Sequence, residues 1–238
     1  MKTEISYFCH RFLHPSVGTI NEKKVSYHTM KKIILSILTL FIATALTAQP
    51  AGSKLLSSSE KATTVQKIKN QSVSLKTLKV NFTQEKSSKL FTDKVVSKGN
   101  MTYKKSNMLR WAYTSPKTYA IILNKKGAFF KNEKGSVQNK MIEGLCKLLL
   151  RTINGDGLVE SNGFTTSYYR CADQSLLVLM KPTDKTMKEM YTSIEVYLDP
   201  TSLMATKVKL NEKKGDVTNI TFSNHKKDIA IADSEFDE

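Results

Sequence analysis

Few side chains in this sequence are spaced for chemistry. Three of the four histidines lie within the first 29 residues, and the fourth, His225, sits in a stretch, Asn224-His225-Lys226-Lys227, that is typical of a solvated turn after a strand. A serine hydrolase needs a base placed beside its nucleophile, and a single solvated histidine does not supply one. The carboxylates are scattered, so no acid–base pair can be named. We therefore expect that the protein is not an enzyme.

Motifs for metals and nucleotides are also missing. The sequence contains no H-E-x-x-H, Cys-x-x-Cys or G-x-x-x-x-G-K-[ST] pattern, and Asn154-Gly155-Asp156-Gly157 lacks the acidic spacing and closing glutamate of a calcium loop. Cys146 and Cys171 could pair in an oxidising compartment. Free thiols are favoured, because one lies on a predicted helix and the other at a strand end. We expect neither a metal nor a cofactor.

The apolar residues show a clearer pattern, which is most regular in residues 99–116. This stretch predicts two strands joined by the polar turn Lys104-Lys105-Ser106-Asn107. Alternate residues of the two strands share one face of the predicted hairpin: Met101, Tyr103, Leu109, Trp111 and Tyr113. Trp111 is the only tryptophan in the chain. The simplest interpretation is an ordinary hairpin whose aromatic ring lies in a core.

The surrounding sequence predicts a mainly β (α+β) fold. Serines at 57–59 and Glu60 predict the start of an amphipathic helix over about 59–70, and helical periodicity returns at 139–151. Strands are predicted at 77–86, 95–103, 119–123, 128–131, 164–170, 175–180, 193–198, 204–211 and 217–223. These elements favour a single strongly bent antiparallel sheet, or half-barrel, with an N-terminal helix and a lid helix over its concave face. The acidic tail after Ile231 is expected to be loosely held.

An export signal is predicted at residues 30–48. Met30-Lys31-Lys32 is followed by the apolar run 33–46 and by Thr47-Ala48-Gln49, which is the order of a cleavable signal peptide. The run is short for a membrane span, although a retained anchor remains an alternative. We expect translation to start at Met30, so that 1–29 is a wrongly included upstream segment. Cleavage after Ala48, or after Ala45, leaves a single domain at 49–238.

The predicted mature chain is strongly basic. Residues 49–238 carry 31 basic and 19 acidic side chains, a net charge of +12. Nucleic acid is not an expected partner, because the lysines are scattered and no recognition motif accompanies them. Anionic lipid head groups or an acidic protein surface are better candidates, and a merely soluble basic surface is the alternative.

Several short motifs together resemble a known family. Phe82-Thr83-Gln84, a strand led by Gly99, Leu109-Arg110-Trp111 and Pro116 occur in the order found in the periplasmic outer-membrane lipoprotein carriers, the LolA-like family. The resemblance covers most of the chain after residue 70, and the chain looks like a divergent member. It implies a monomeric half-barrel that holds lipoprotein acyl chains, receives them from an inner-membrane ABC-type release complex and passes them to an outer-membrane acceptor.

The resemblance also implies roles for individual residues. Cavity positions would be Leu78, Val80, Phe82, Met101, Tyr103, Leu109, Trp111, Tyr113, Ile121 and Leu123. Lid positions would be Met141, Ile142, Leu145 and Leu149. Lys105 stands where better-known members have an arginine that latches the lid through backbone carbonyls, and its point charge is expected to hold the C-terminal end of a lid helix less firmly than a planar fork. A lipid- or lipoprotein-sensing module of the same fold remains an alternative, as does, more remotely, a secreted enzyme.

Overall fold

Twelve strands form one antiparallel sheet in the described part of this computed structural model, which comprises residues 50, 52–89, 94–138, 143, 146, 149, 150, 153, 158 and 163–238. The strands are β1 (Ser53–Leu55), β2 (Thr77–Ser87), β3 (Val95–Lys104), β4 (Met108–Ser115), β5 (Tyr119–Asn124), β6 (Gly127–Asn132), β7 (Gly135–Gln138), β8 (Phe164–Cys171), β9 (Leu176–Pro182), β10 (Tyr191–Leu198), β11 (Ala205–Glu212) and β12 (Val217–Lys227). Their order is β1-β8-β9-β10-β11-β12-β2-β3-β4-β5-β6-β7, so the sheet is open, with β1 and β7 at its edges. The predicted fold class is confirmed.

Some predictions concern residues outside this described part. They are the upstream segment and export signal at 1–48, the lid positions Met141, Ile142 and Leu145, and the loop 154–157. No helix among the described residues is long and apolar enough to span a membrane.

Apolar alternation explains which face of each strand is buried. In β2, Leu78, Val80 and Phe82 are at most 4% exposed, whereas Asn81 between them is exposed. The β9 sequence is apolar at five successive positions because both of its faces are covered. Leu176, Val178 and Met180 pack on the inner face, and Leu177 and Leu179 pack on the outer one. The sheet therefore carries apolar side chains on both faces.

Helix α1 (Ser58–Ser74) lies across the inner face of the sheet. Its first turn is fixed by a capping box, in which the Ser57 hydroxyl accepts from the Glu60 backbone and the Glu60 carboxylate accepts from the Ser57 N–H. Ile68 packs with the β8–β11 half of the sheet, and Leu75, just after the helix, packs with the β2–β5 half. The helix thus contacts both halves of the inner face.

The inner face is concave. Trp111 on β4 and Phe222 on β12 have ring centroids 6.1 Å apart, although β2 and β3 lie between their strands. In a flat sheet, strands three positions apart are separated by about 14 Å. Bending brings the two rings together, and it confirms the strongly bent sheet that the sequence predicts.

The C-terminal tail is docked, so the prediction of a loose tail is wrong. Residues Asp233–Phe236 form a short 3-10 helix, and Phe236 is 1% exposed on the convex face. Its ring occupies a groove made by the paired small residues Ala112 and Ala120, between Met108 and Ile122. Four polar side chains fasten the tail's carboxylates to the sheet: Lys79, Lys104, Asn124 and Lys126.

Further details differ from the sequence-based predictions. Helix α2 (Lys185–Met190) and the two edge strands β1 and β7 are too short to give a periodic signal. Strand β12 continues past Ser223 through a bulge to Lys227. At that bulge Asn224 has a φ of 54°, a left-handed conformation that asparagine tolerates better than most residues.

Candidate functional site

A cavity of about 90 Å³ lies between α1 and the concave face of the sheet. The helical side contributes Ile68, Gln71, Ser72, Leu75, Leu149, Ile153 and Leu158. The sheet and its connections contribute Leu78, Val80, Met101, Trp111, Leu198, Leu203, Met204, Ala205, Val208, Phe222 and His225. None of these described lining residues is an aspartate, glutamate, lysine or arginine, so the cavity offers an apolar ligand an almost uncharged environment.

All ten cavity positions implied by the resemblance lie together on the concave face. They belong to, or pack against, one apolar group, here called the concave cluster. Four of them line the cavity directly: Leu78, Val80, Met101 and Trp111. Leu149, the described lid position, also lines it and is helical. The other six extend the concave cluster beyond the cavity: Phe82, Tyr103, Leu109, Tyr113, Ile121 and Leu123.

Aromatic rings continue from the cavity wall along the concave face. The Trp111 and Phe82 rings contact each other at a tilt of 33°, with centroids 4.5 Å apart, and Phe82 and Tyr113 make an edge-to-face pair at 5.1 Å. Gly99 makes this possible, because a Cβ at that position would lie 2.6 Å from the Phe82 ring and 2.0 Å from the Ala112 carbonyl oxygen. Burial, together with neighbouring Tyr119, raises the pKa of Tyr113 to about 12. This row of rings stays uncharged at neutral pH.

The β10–β12 half of the cavity was not identified from the sequence. Its lining residues include Leu198, Val208 and Phe222, and Val208 packs against the apolar groups of both sheet halves. The alternation of apolar residues on these strands was visible, but it did not show that their inner faces approach α1. On α1 itself, the narrow apolar stripe predicted from the sequence provides Ile68, which is 3% exposed.

A polar corner, defined as Gln71, Ser72 and His225, interrupts the apolar lining. The Gln71 amide nitrogen donates to Met204 Sδ at 3.1 Å, and the Ser72 hydroxyl donates to the Ile68 carbonyl at 2.7 Å. His225 Nε2 lies 2.8 Å from the Ala205 carbonyl oxygen. The prediction that His225 occupies a solvated turn is wrong. It lies on β12 and is half-buried, because the bulge keeps this polar stretch in the sheet.

Lys105 fastens the end of α1 to the β3–β4 turn. Its ammonium donates to the Val73 carbonyl oxygen at 2.8 Å, and its backbone N–H donates to the Lys76 carbonyl at 2.8 Å. Helix α1, which is described in full, has no basic residue in its own last turn. The Lys105 ammonium therefore provides a positive charge at the negative end of the helix dipole. Among the described residues the Lys105 ammonium thus bonds the C-terminal end of α1, whereas Leu145, around which the sequence predicts the latched helix, lies outside the described residues.

The two cysteines among the described residues, Cys146 and Cys171, are both free thiols. Cys146 is fully buried in the concave cluster, where burial and neighbouring Glu143 raise its pKa to about 11. Cys171 lies at the end of β8 and packs against the outer-face group that contains Leu177 and Leu179. The free-thiol alternative is thus the one observed, and Cys146 acts as a small apolar side chain at neutral pH.

Comparisons with known proteins were made on sequence and on structure. Residues 73–237, more than half of the chain, match the family model described as outer membrane lipoprotein carrier protein LolA. No curated protein matches the sequence.

Three solved structures are among those similar to this chain. A LolA superfamily protein from Nitrosomonas europaea is 11% identical, with a TM-score of 0.42, 73% of this chain covered and 97% of that one. The lipoprotein LppX from Mycobacterium tuberculosis is 8% identical, with a TM-score of 0.45 and coverages of 74% and 99%. The Pseudomonas aeruginosa MucA/MucB complex gives 11% identity, a TM-score of 0.44 and coverages of 74% and 60%.

Proposed function

This chain belongs to the outer membrane lipoprotein carrier family, and from that premise we propose that it is a non-enzymatic carrier of acylated lipoproteins. In this proposal it works in the periplasm after removal of its signal peptide. It shields the acyl chains of a lipoprotein in its cavity and moves the lipoprotein from the inner to the outer membrane.

The observation that carries the proposal is the almost uncharged cavity between α1 and the sheet. Fifteen of the eighteen described lining residues are apolar, and the cavity separates α1 from a concave sheet. Burying an acyl chain contributes about 0.8 kcal/mol per methylene, so even part of one chain would bind usefully. Such a lining recognises an acyl chain by its apolar character and shape, and it depends little on which protein carries that chain.

The cavity must enlarge before it holds a long acyl chain. By the usual allowance of about 10–15 Å³ per water position, its 90 Å³ corresponds to only six to nine waters. The element that can yield is α1, because much of its surface is exposed. Its inward attachments among the described residues include the buried Thr64 and Ile68, the partly buried Val65, the weak Gln71–Met204 contact and the Lys105 tether at its C-terminal end. Separation of α1 from the sheet exposes the rest of the concave cluster to the incoming chain.

Release follows from the same physics. When the acyl chains leave, α1 repacks on the sheet and again covers the concave face, which offsets part of the lost contact. The carrier still needs an acceptor whose apolar site binds the chains more strongly than the carrier does. We propose an inner-membrane ABC-type release complex as donor and an outer-membrane acceptor. The net charge of +12 on residues 49–238 would favour approach to anionic surfaces.

Purification from the native cell envelope followed by mass spectrometry tests this function. We expect acylated lipoproteins to co-purify with the wild-type protein. They should be lost from Phe222→Asp, which places a charge in the half-buried cavity wall, and kept by Thr221→Asp on the adjacent exposed position. Thermal melts establish that both variants fold. Co-purification of free lipid without lipoprotein would favour the sensing module, and absence of any lipid from the wild-type protein would overturn the proposal.

A further inference from the structure

The polar corner of the cavity contains an amide donor that lacks a good acceptor. Gln71 is half-buried on the inward side of α1, and its amide nitrogen donates to a thioether sulfur. Thioether sulfur is a weak acceptor, whereas an amide N–H is a strong donor. A ligand carbonyl oxygen in the place of Met204 Sδ would accept a stronger hydrogen bond from the Gln71 amide. Methionine adapts easily to a changed surrounding, so Met204 can make room.

The other two polar groups of the corner are already matched. The Ser72 hydroxyl is satisfied within α1 by the Ile68 carbonyl. Because a carbonyl oxygen can only accept, the contact between His225 Nε2 and the Ala205 carbonyl requires the proton on Nε2. Gln71 is therefore the donor in this corner that a ligand acceptor would engage.

A second donor in the cavity wall also lacks a good acceptor. The Trp111 indole nitrogen is buried and has no hydrogen bond of good geometry among the described residues, although it lies close enough to the Tyr113 hydroxyl to lower the pKa of that group slightly. Buried donors without partners are destabilising and uncommon. The Gln71 amide and the Trp111 indole N–H are both donors without a good acceptor. A purely hydrocarbon ligand would provide an acceptor to neither of them.

We infer that the Gln71 amide binds the carbonyl oxygen of an ester- or amide-linked acyl chain, so that the cavity distinguishes acylated ligands from plain hydrocarbon. This inference rests on the proposed binding of acyl chains and adds a polar contact and an orientation to it. The carbonyl lies at the polar corner, and the hydrocarbon extends toward Trp111 and the concave cluster.

The position of Gln71 explains why the polar end of a ligand should lie there. It is in the last turn of α1, two residues before Val73, which is 71% exposed, and close to the exposed Lys105 tether. A peptide attached to the acyl group must remain in water. The exposed Val73 and Lys105 therefore place water close to this end of the cavity.

Two lipid probes that differ at one group test the inference. They carry the same alkyl chain and reporter, joined through an ester in one and through an ether, which lacks the carbonyl, in the other. Gln71→Leu is expected to weaken ester-probe binding roughly two- to tenfold, the value of one hydrogen bond. It should leave ether-probe binding unchanged or strengthen it. Gln66→Leu, on the exposed side of the same helix, where the side chain bonds to Asn70, is the matched control and should change neither affinity.

A second variant guards against a folding defect. Gln71→Asn keeps the amide but shortens its reach, and it should show the same selective loss for the ester probe. Equal changes for both probes, or no change in either variant, would overturn the inference while leaving acyl binding intact. If the wild-type protein bound neither probe, the proposed function itself would fail. Because the two failures give different results, they are distinguishable.

Discussion

Replacement of Phe236 by alanine is expected to destabilise the protein by about 3–5 kcal/mol, the usual loss for a buried phenylalanine. The Phe236 side chain is 1% exposed in the convex groove formed around Ala112 and Ala120. A buried aromatic side chain covers roughly 150–250 Å², which at about 25 cal/mol per Å² sets an upper limit of roughly 4–6 kcal/mol. The tail can also detach by itself, so the loss cannot exceed the docking free energy of the tail.

Thermal and urea unfolding measure this effect. For a domain of this size about 1 kcal/mol shifts the midpoint by 2–4 °C, so Tm should fall by roughly 6–20 °C. A chain truncated after Ile231 should lose about as much, because it also lacks the aromatic ring. Ile229→Ala, at a 36% exposed position near the start of the tail, is the control and should stay within about 0.5 kcal/mol of wild type. If Phe236→Ala and the truncation both melt like wild type, the tail is not docked.

Three further outcomes are expected. Lys126 lowers the pKa of Glu238 from 4.5 to about 2, so the ionised carboxylate stabilises the docked tail at pH values above 4.5. NMR should therefore show the tail loosening as the pH falls from about 4.5 toward 2. A tail spectrum that does not change over this range would contradict the prediction. Lys105→Arg should slow lipid uptake and Lys105→Ala should speed it, because each changes the interaction of residue 105 with the C-terminal end of α1 by roughly 0.3–1 kcal/mol. Stopped-flow mixing measures the uptake rates. Equal rates for wild type and both variants would mean that the Lys105 tether does not control opening. Gly99→Val should lower the free energy of unfolding by at least about 1–3 kcal/mol and shift the Trp111 emission, because the valine Cβ would collide with the Phe82 ring and the Ala112 carbonyl oxygen. A variant that melts like wild type would refute the close packing of Gly99 against these two groups.

Local sequence patterns predict much of the fold. The serines before Glu60 predicted the capped start of α1, and alternation predicted β2–β6 to within one or two residues. The bend was foreseen from the number of short strands. Docking of the tail could not be foreseen, because Phe236 is one apolar residue among acids. The groove that binds Phe236 depends on the pairing of Ala112 with Ala120. This pairing is set by the register of β4 and β5, which are far from the tail in the sequence.

The site was only half accessible to sequence reasoning. Residues implied by the resemblance lie on β2–β5, where the motifs are, and they do share the concave cluster. The opposite wall depends on how far the sheet bends, which no single strand reveals. His225 was misread for a similar reason, since a polar Asn-His-Lys-Lys stretch predicts a turn unless the neighbouring strand is known to continue. Lys105 was correctly placed at a rim, but its acceptor proved to be α1.

Titration of the protein with a triacylated lipopeptide, followed by Trp111 fluorescence, tests the central claim most directly. Trp111 is the only tryptophan, is 4% exposed and lines the cavity between α1 and the sheet. If acyl chains displace α1 and occupy that cavity, the emission maximum and the quenching by acrylamide should both change in a saturable way at one peptide per protein. An emission maximum and a quenching constant that stay constant up to saturating lipopeptide would contradict the account.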